Sequence, residues 1–117
     1  MRFPPELRIK SSFDFSAARK GEKLESRSFF LYVSENLLNK TRLGLIVSRK
    51  VGNSVKRNRV KRILREAFKN CFLDLKCGYD IVVIARPECV DLKLDELIKE
   101  LSDTLSYYYK NIERRQD

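Results

Sequence analysis

The sequence predicts an α+β fold, a two-layer α/β sandwich in which three helices pack on a small mixed sheet of about four strands. Two observations predict it. Three segments repeat their apolar residues at helical spacing, and between them lie the short β-type runs SFFLYVS (28–34), LGLIVS (43–48) and DIVVIA (80–85). A helix stands between the second and third of these runs, so those two strands are expected to lie parallel, since an intervening helix returns the chain to the same end of the sheet. With 117 residues, 43% of them apolar and 35% charged, the chain is expected to form one globular domain over 1–117.

Taken in order, Pro4 and Pro5 keep the N-terminal segment extended. Ser11 or Ser12 can then cap a short helix that ends before Gly21, with Phe13 and Ala17 on one face and Phe15 elsewhere. In 28–34, Phe29, Leu31 and Val33 alternate with Phe30, Tyr32 and Ser34, which describes a strand with two partly apolar faces. The polar segment 35–40 reads as a turn, and 43–48 as the partner strand of a hairpin. Gly44 marks a close approach by a side chain or another backbone.

A helix follows, ending near Phe72 before a turn at Gly78. Its stripe is Val60, Ile63, Leu64, Ala67, Phe68 and Cys71. The continuously apolar run 80–85 is expected to be a central strand covered on both sides, and Pro87 closes it. Asp91 can cap a last helix whose stripe is Leu94, Leu97, Ile98, Leu101, Leu105, Tyr108 and Ile112. Asp95, Glu96 and Glu100 come early in it and Lys110, Arg114 and Arg115 late, the order a helix dipole favours. Tyr107 and Tyr109 flank core Tyr108 and are assigned no function.

Charge is concentrated in one place. The stretch 49–69 carries Arg49, Lys50, Lys56, Arg57, Arg59, Lys61, Arg62, Arg65 and Lys69 against Glu66 alone, which is formally +8 of the chain's +9. On the helix, Asn58, Arg62, Arg65 and Lys69 form a polar row opposite the apolar stripe, with Lys61 and Arg59 at its edges. Gly52 allows the turn into the helix, and Asn53 or Ser54 can cap it. Lys56 and Arg57 then fall in the first turn, where cations cost roughly 0.3 to 1 kcal/mol each unless an anion shares the site. A helix N-terminus ringed by cations suits phosphate.

These features point to RNA and against several other classes. Without histidine the chain lacks the commonest general base and metal ligand. Its acids are scattered, so neither a catalytic site nor a direct metal site is expected in the protein. Cys71, Cys77 and Cys89 match no zinc spacing and are expected to be reduced packing residues. No run reaches the roughly 18 apolar residues of a membrane span, and no signal-peptide core follows the N-terminus, so a cytoplasmic protein without a membrane partner is expected. A groove-exposed DNA-binding basic region would not need the apolar face of Val60, Ile63, Leu64 and Phe68, so no DNA partner is expected. Phe30 and Tyr32 could stack unpaired bases or belong to the core, and Phe13 is equally a core anchor or a stacking platform.

The run 48–62, SRKVGNSVKRNRVKR, resembles the signature of the bacterial ribonuclease P protein subunit, centred on Arg57-Asn58-Arg59-Val60-Lys61-Arg62. Phe13 before Gly21, the Phe-Phe-Leu-Tyr strand, Arg42-Leu43-Gly44-Leu45, and Tyr79-Asp80-Ile81-Val82-Val83 follow in the family's order, so the likeness spans 7–109. The resemblance implies a subunit that joins a large catalytic RNA and promotes endonucleolytic removal of the 5′ leader of precursor tRNA. The chemistry would belong to the RNA and its Mg²⁺, and the protein alone would be inactive. Arg57, Asn58, Arg59, Lys61, Arg62 and Arg65 would contact the catalytic RNA, with Arg49, Lys50, Lys56 and Lys69 completing the basic surface. Phe13, Tyr32, Ser48 and Lys50 would line a leader cleft between the sheet and the first helix. The family's second aromatic falls at Ala17, and its crossover is left-handed, against the right-handed rule. A ribosomal or other translation-associated RNA-binding protein is the alternative.

Overall fold

The structure, a computed structural model, describes residues 5–71 and 78–116. Pro4, Phe72 and Cys77, and the side chains of Ile112, Arg114 and Arg115, lie outside the described residues. The elements are α1 (Ser12–Ala18), β1 (Glu22–Glu25), β2 (Phe29–Glu35), β3 (Arg42–Ile46), α2 (Ser54–Cys71), β4 (Tyr79–Ala85) and α3 (Leu94–Gln116). Single 3-10 turns occupy Pro5–Leu7, where extended chain is expected, and Pro87–Asp91.

The four strands form one mixed sheet in the order β1-β2-β4-β3. β3 and β4 are parallel, with Leu43 opposite Ile81 and Leu45 opposite Val83, as the strand, helix, strand order predicts. β2 and β3 are not hairpin partners, because β4 lies between them and pairs antiparallel with β2. The reason is burial. The interior of β4, Ile81, Val82 and Val83, is apolar on both faces and fully buried, which a central position satisfies and an edge would not. The six residues 36–41 easily span the two strand spacings, about 10 Å, that separate β2 from β3. The fourth strand is the short β1, which pairs antiparallel with β2, Leu24 opposite Leu31. Its single inward residue between charged neighbours is too weak an alternation to read from sequence.

One face of the sheet is the main core. Leu24, Phe29, Leu31, Val33, Leu43, Ile81, Val83 and Ala85 meet Val60, Leu64, Ala67, Phe68 and Cys71 of α2 and Leu97, Leu101, Leu105, Tyr108 and Tyr109 of α3. The apolar stripe of α2 is as predicted, with Ile63 only partly buried at its margin. On α3 the stripe shifts: Leu94 is exposed, whereas Tyr109 is buried with Tyr108 against Tyr79, ring centroids 5.6 to 6.1 Å apart. Asp91 does not cap α3, because it ends the preceding 3-10 turn. The Glu96 carboxylate instead accepts from the Lys93 backbone N–H at 3.2 Å. Cys71 and Cys89 are both buried.

The opposite face is only partly covered. There α1 lies over Val82, Ile9 and its own Ala18, with Phe15, Tyr32, Ile46 and Ile84 half-buried around them. Gly44 explains how closely α1 can sit: a Cβ at this position would lie 2.6 Å from the Phe15 ring. Ser11 caps α1, its hydroxyl oxygen accepting from Asp14 N–H at 3.0 Å.

Candidate nucleic-acid interface

Two surfaces meet at the β3 edge, and the first is α2. Asn53, not Ser54, is its cap, the side-chain oxygen accepting from Lys56 N–H at 3.0 Å. Gly52, at a φ of 150°, supplies the backbone this turn needs. No acid stands in the first turn of α2, so Lys56 and Arg57 add to the positive end of the dipole without internal compensation.

Along the helix Lys56, Asn58, Arg59 and Arg62 are exposed, while Arg57, Lys61, Arg65 and Lys69 are half-buried. Arg49 and Lys50, in the preceding loop, are exposed. Among the described residues no carboxylate pairs with Arg49, Lys50, Lys56, Arg57, Lys61 or Arg62. Arg59 does make an internal bond, since its Nη1 donates to the Val90 carbonyl at 2.7 Å and ties α2 to the 3-10 turn after β4.

The second surface is the open sheet face. Phe30, Tyr32, Ile46 and Ile84 are half-exposed there, and Ser48 and Lys50 follow the end of β3, both exposed, with the Ser48 hydroxyl accepting from Lys50 N–H at 3.4 Å. Phe13 is 81% exposed and belongs to neither core cluster, which rules out its reading as a core anchor. The aromatic that α1 presents to the sheet is Phe15, one residue and about 100° further round from Asp14. Ala17 is exposed on the outer side, and beside Tyr32 stands Arg19, its guanidinium carbon 5.5 Å from the ring centroid. Cations cover Phe30 too, Lys23 Nζ at 4.4 Å and Arg86 Cζ at 4.9 Å. Nothing in the periodicity of α1 distinguishes Phe13 from Phe15, because a seven-residue helix offers no repeat of its stripe.

The two surfaces are joined by a small cavity of about 100 Å³, lined by Lys61 and Arg65 of α2, Phe15 of α1, and Arg8, Leu43 and Leu45. A part-buried ion-pair network holds α1 in place beside it. Arg42 forks onto Asp80, Nε to Oδ1 at 2.9 Å and Nη2 to Oδ2 at 2.7 Å, and reaches Asp14 of α1 through Nη1 at 3.3 Å. Asn36 Nδ2 donates to the same Asp80 Oδ1 at 2.7 Å. Burial pushes the Asp80 carboxyl up, but the hydrogen bonds from Arg42 and Asn36 and the Arg42 charge outweigh it and hold the group below the usual carboxylate range. Asp80 in turn raises Arg42, so the pair stays ionised. Sequence patterns missed this network because its members are 28 to 44 residues apart.

Among the described residues no group of three His, Cys, Asp or Glu comes together, and no helix is long and apolar enough to cross a membrane. Burial of Cys89, with the Glu100 charge beside it, pushes its thiol up to about 11, which leaves it unreactive.

Comparison with known proteins gives a consistent result. A family model described as Ribonuclease P matches residues 3–109. The ribonuclease P protein component of Clostridium botulinum (strain Loch Maree / Type A3) is 39% identical over 102 residues, covering 86% of this chain and 92% of that protein. Its counterpart from Shouchella clausii is 42% identical over 102 residues, covering 86% and 84%. Among solved structures, the Staphylococcus aureus RNase P protein superposes with a TM-score of 0.77 at 36% identity, covering 87% of this chain and 94% of that one. The RNase P protein from Thermotoga maritima does so with a TM-score of 0.75 at 30% identity, covering 82% and 92%.

Proposed function

The chain belongs to the ribonuclease P protein family, and on that basis we propose that it binds the catalytic RNA of ribonuclease P through α2 and lays the 5′ leader of precursor tRNA across the open sheet face. Bond cleavage is carried by the RNA and its Mg²⁺, in the cytoplasm, and the protein alone is inactive. The observation that carries this reading is the contiguity of the two surfaces: a helix whose cations Lys56, Lys61 and Arg62 lack internal acid partners adjoins, through the Lys61 and Phe15 cavity, a half-exposed face bearing Tyr32. Polyvalent cations on a rigid helix suit structured RNA, because each phosphate neutralised releases condensed counterions. An unpaired strand suits the sheet, where aromatic and cationic groups lie together.

Within this reading Arg57, Asn58, Lys61, Arg62 and Arg65 meet the catalytic RNA, together with Arg49, Lys56 and Lys69. Arg59, tied to Val90, offers only the part of its guanidinium that this bond leaves over. Phe13, Ser48, Lys50 and Tyr32 line the leader path, and Phe15 is the α1 aromatic packed on the sheet beside it. The deciding experiment is leader cleavage at low Mg²⁺ by the cognate RNA with and without the protein. Stimulation is expected. Absence of stimulation, or cleavage by the protein alone, would overturn the reading.

A further inference from the structure

We propose that the β1 side of the open sheet face is a phosphate-gripping strip, formed by Arg19, Lys23 and Arg86 held over the rings of Tyr32 and Phe30, and that it takes the backbone of single-stranded RNA without regard to base. The proposal rests on the reading of this face as the leader path, and it names what that path recognises at its β1 end.

Strand register brings the parts together. Lys23 stands opposite Tyr32, Glu25 opposite Phe30, and Phe30 opposite Ile84, so Arg86, two residues beyond Ile84, emerges at the same end of the sheet as Phe30. Lys23 and Arg86 both lie over the Phe30 ring, at 4.4 and 4.9 Å, and Arg19 lies over Tyr32 at 5.5 Å. Arg86 is anchored further by a bond from Nη1 to the Ser26 carbonyl at 3.2 Å. A ring that already carries cations is a poor platform for a base, which would have to displace them. It is instead a good support for them, because holding a long side chain in one place before binding lowers the entropy lost when a phosphate arrives.

The acids nearby do not cancel this strip. Lys23 and Glu25 pair at 3.7 Å, and Arg86 and Glu88 at 3.8 Å, all with side chains 38 to 68% exposed. Loose, solvent-screened pairs of this kind contribute little and exchange readily for a doubly hydrogen-bonding phosphate. They do explain why the strip is invisible in the distribution of formal charge, which balances these cations against neighbouring carboxylates.

The test assembles the full-length protein with its cognate RNA and compares its affinity for a precursor tRNA with that for the same tRNA lacking a leader. Lys23→Gln with Arg86→Gln is expected to reduce the advantage conferred by the leader about tenfold. It should also lower the salt slope of leader binding by about 1.4, roughly 0.7 for each single-strand phosphate no longer neutralised. Phe30→Leu, which keeps both charges, is expected to lose several-fold of that advantage, and Phe30→Tyr to retain it, which assigns Phe30 a positioning role. Leaders with abasic nucleotides should bind within about twofold of intact ones, whereas base stacking would make each abasic site costly. An unchanged leader advantage and salt slope in the double variant, or a loss on abasic substitution as large as leader deletion, would overturn the proposal while leaving the leader-path reading standing. No leader advantage in the unmodified protein would overturn both.

Discussion

Replacing Gly44 by Ala tests how α1 is seated, and through it the shape of the sheet face. The added methyl would lie 2.6 Å from Cε1 and 3.0 Å from Cζ of Phe15, and 3.3 Å from the Ile9 Cβ. Carbon atoms rest at about 3.5 Å or more, so the ring must retreat by roughly 1 Å. Retreat is limited on the sheet side by Ile9, Ala18 and Val82, with which Phe15 packs, so relief comes by lifting α1 or swinging the ring outward. Overpacking of this kind costs about 1 to 3 kcal/mol, against a gain of about 0.4 to 1 kcal/mol from restricting the unfolded chain. The net expectation is a loss of about 1 kcal/mol in urea unfolding, a several-fold loss of leader-dependent affinity, and unaltered affinity for the catalytic RNA, which α2 supplies from the other side of the sheet. Stability equal to or above that of the unmodified protein, with unchanged leader affinity, would show that nothing depends on the packing of Phe15 over Gly44.

Arg62→Ala is expected to weaken assembly with the catalytic RNA and lower the magnitude of its salt slope by about 1, with far-UV circular dichroism unchanged; an unaltered salt titration would remove Arg62 from the interface. Tyr32→Ala releases Arg19 and should cost about 1 kcal/mol, roughly fivefold, for precursors with long leaders; an equal loss for leaderless tRNA would make Tyr32 a core residue only. Arg42→Ala leaves Asp80 buried without a counter-charge, held by Asn36 alone, at about 3 kcal/mol near neutral pH. The native Asp80 pKa is lowered, so the pair's contribution is present above the ordinary value of 3.8 and lost as pH falls through the native one. The deficit in urea midpoint should therefore shrink at about pH 3, and an equal deficit there would refute the pairing. Burial, with the charges of Tyr79, Glu22, Glu35 and Tyr109 adding to it, pushes the Tyr108 phenol from 10.0 up to about 12. Stability should therefore hold below 10.0 and fall between 10.0 and about 12, where the unfolded chain ionises first, and Tyr108→Phe should flatten that fall.

Features that depend on neighbours within a turn or two were legible in the chain alone. The stripe of α2, the +8 segment laid along its outer face, a serine cap on α1 at Ser11 or Ser12, the parallel relation of β3 and β4 and the close approach at Gly44 all follow from local periodicity, side-chain chemistry or chain connectivity. Long-range packing supplied the rest. The pattern of β4 already marked it as a central strand, but that it would stand between β2 and β3 and part the expected hairpin depended on the competition of all the strands for the centre of the sheet. The choice of Phe15 over Phe13 on α1 came from the ion pair of Asp14 with Arg42 and the space above Gly44, contacts between residues about 30 positions apart. The cations over Phe30 and Tyr32 likewise come from β1, α1 and the end of β4, brought together only when the sheet pairs. A one-dimensional pattern records which side chains share a face, but contacts across strands depend on register and packing, and those are settled by burial of the whole domain at once.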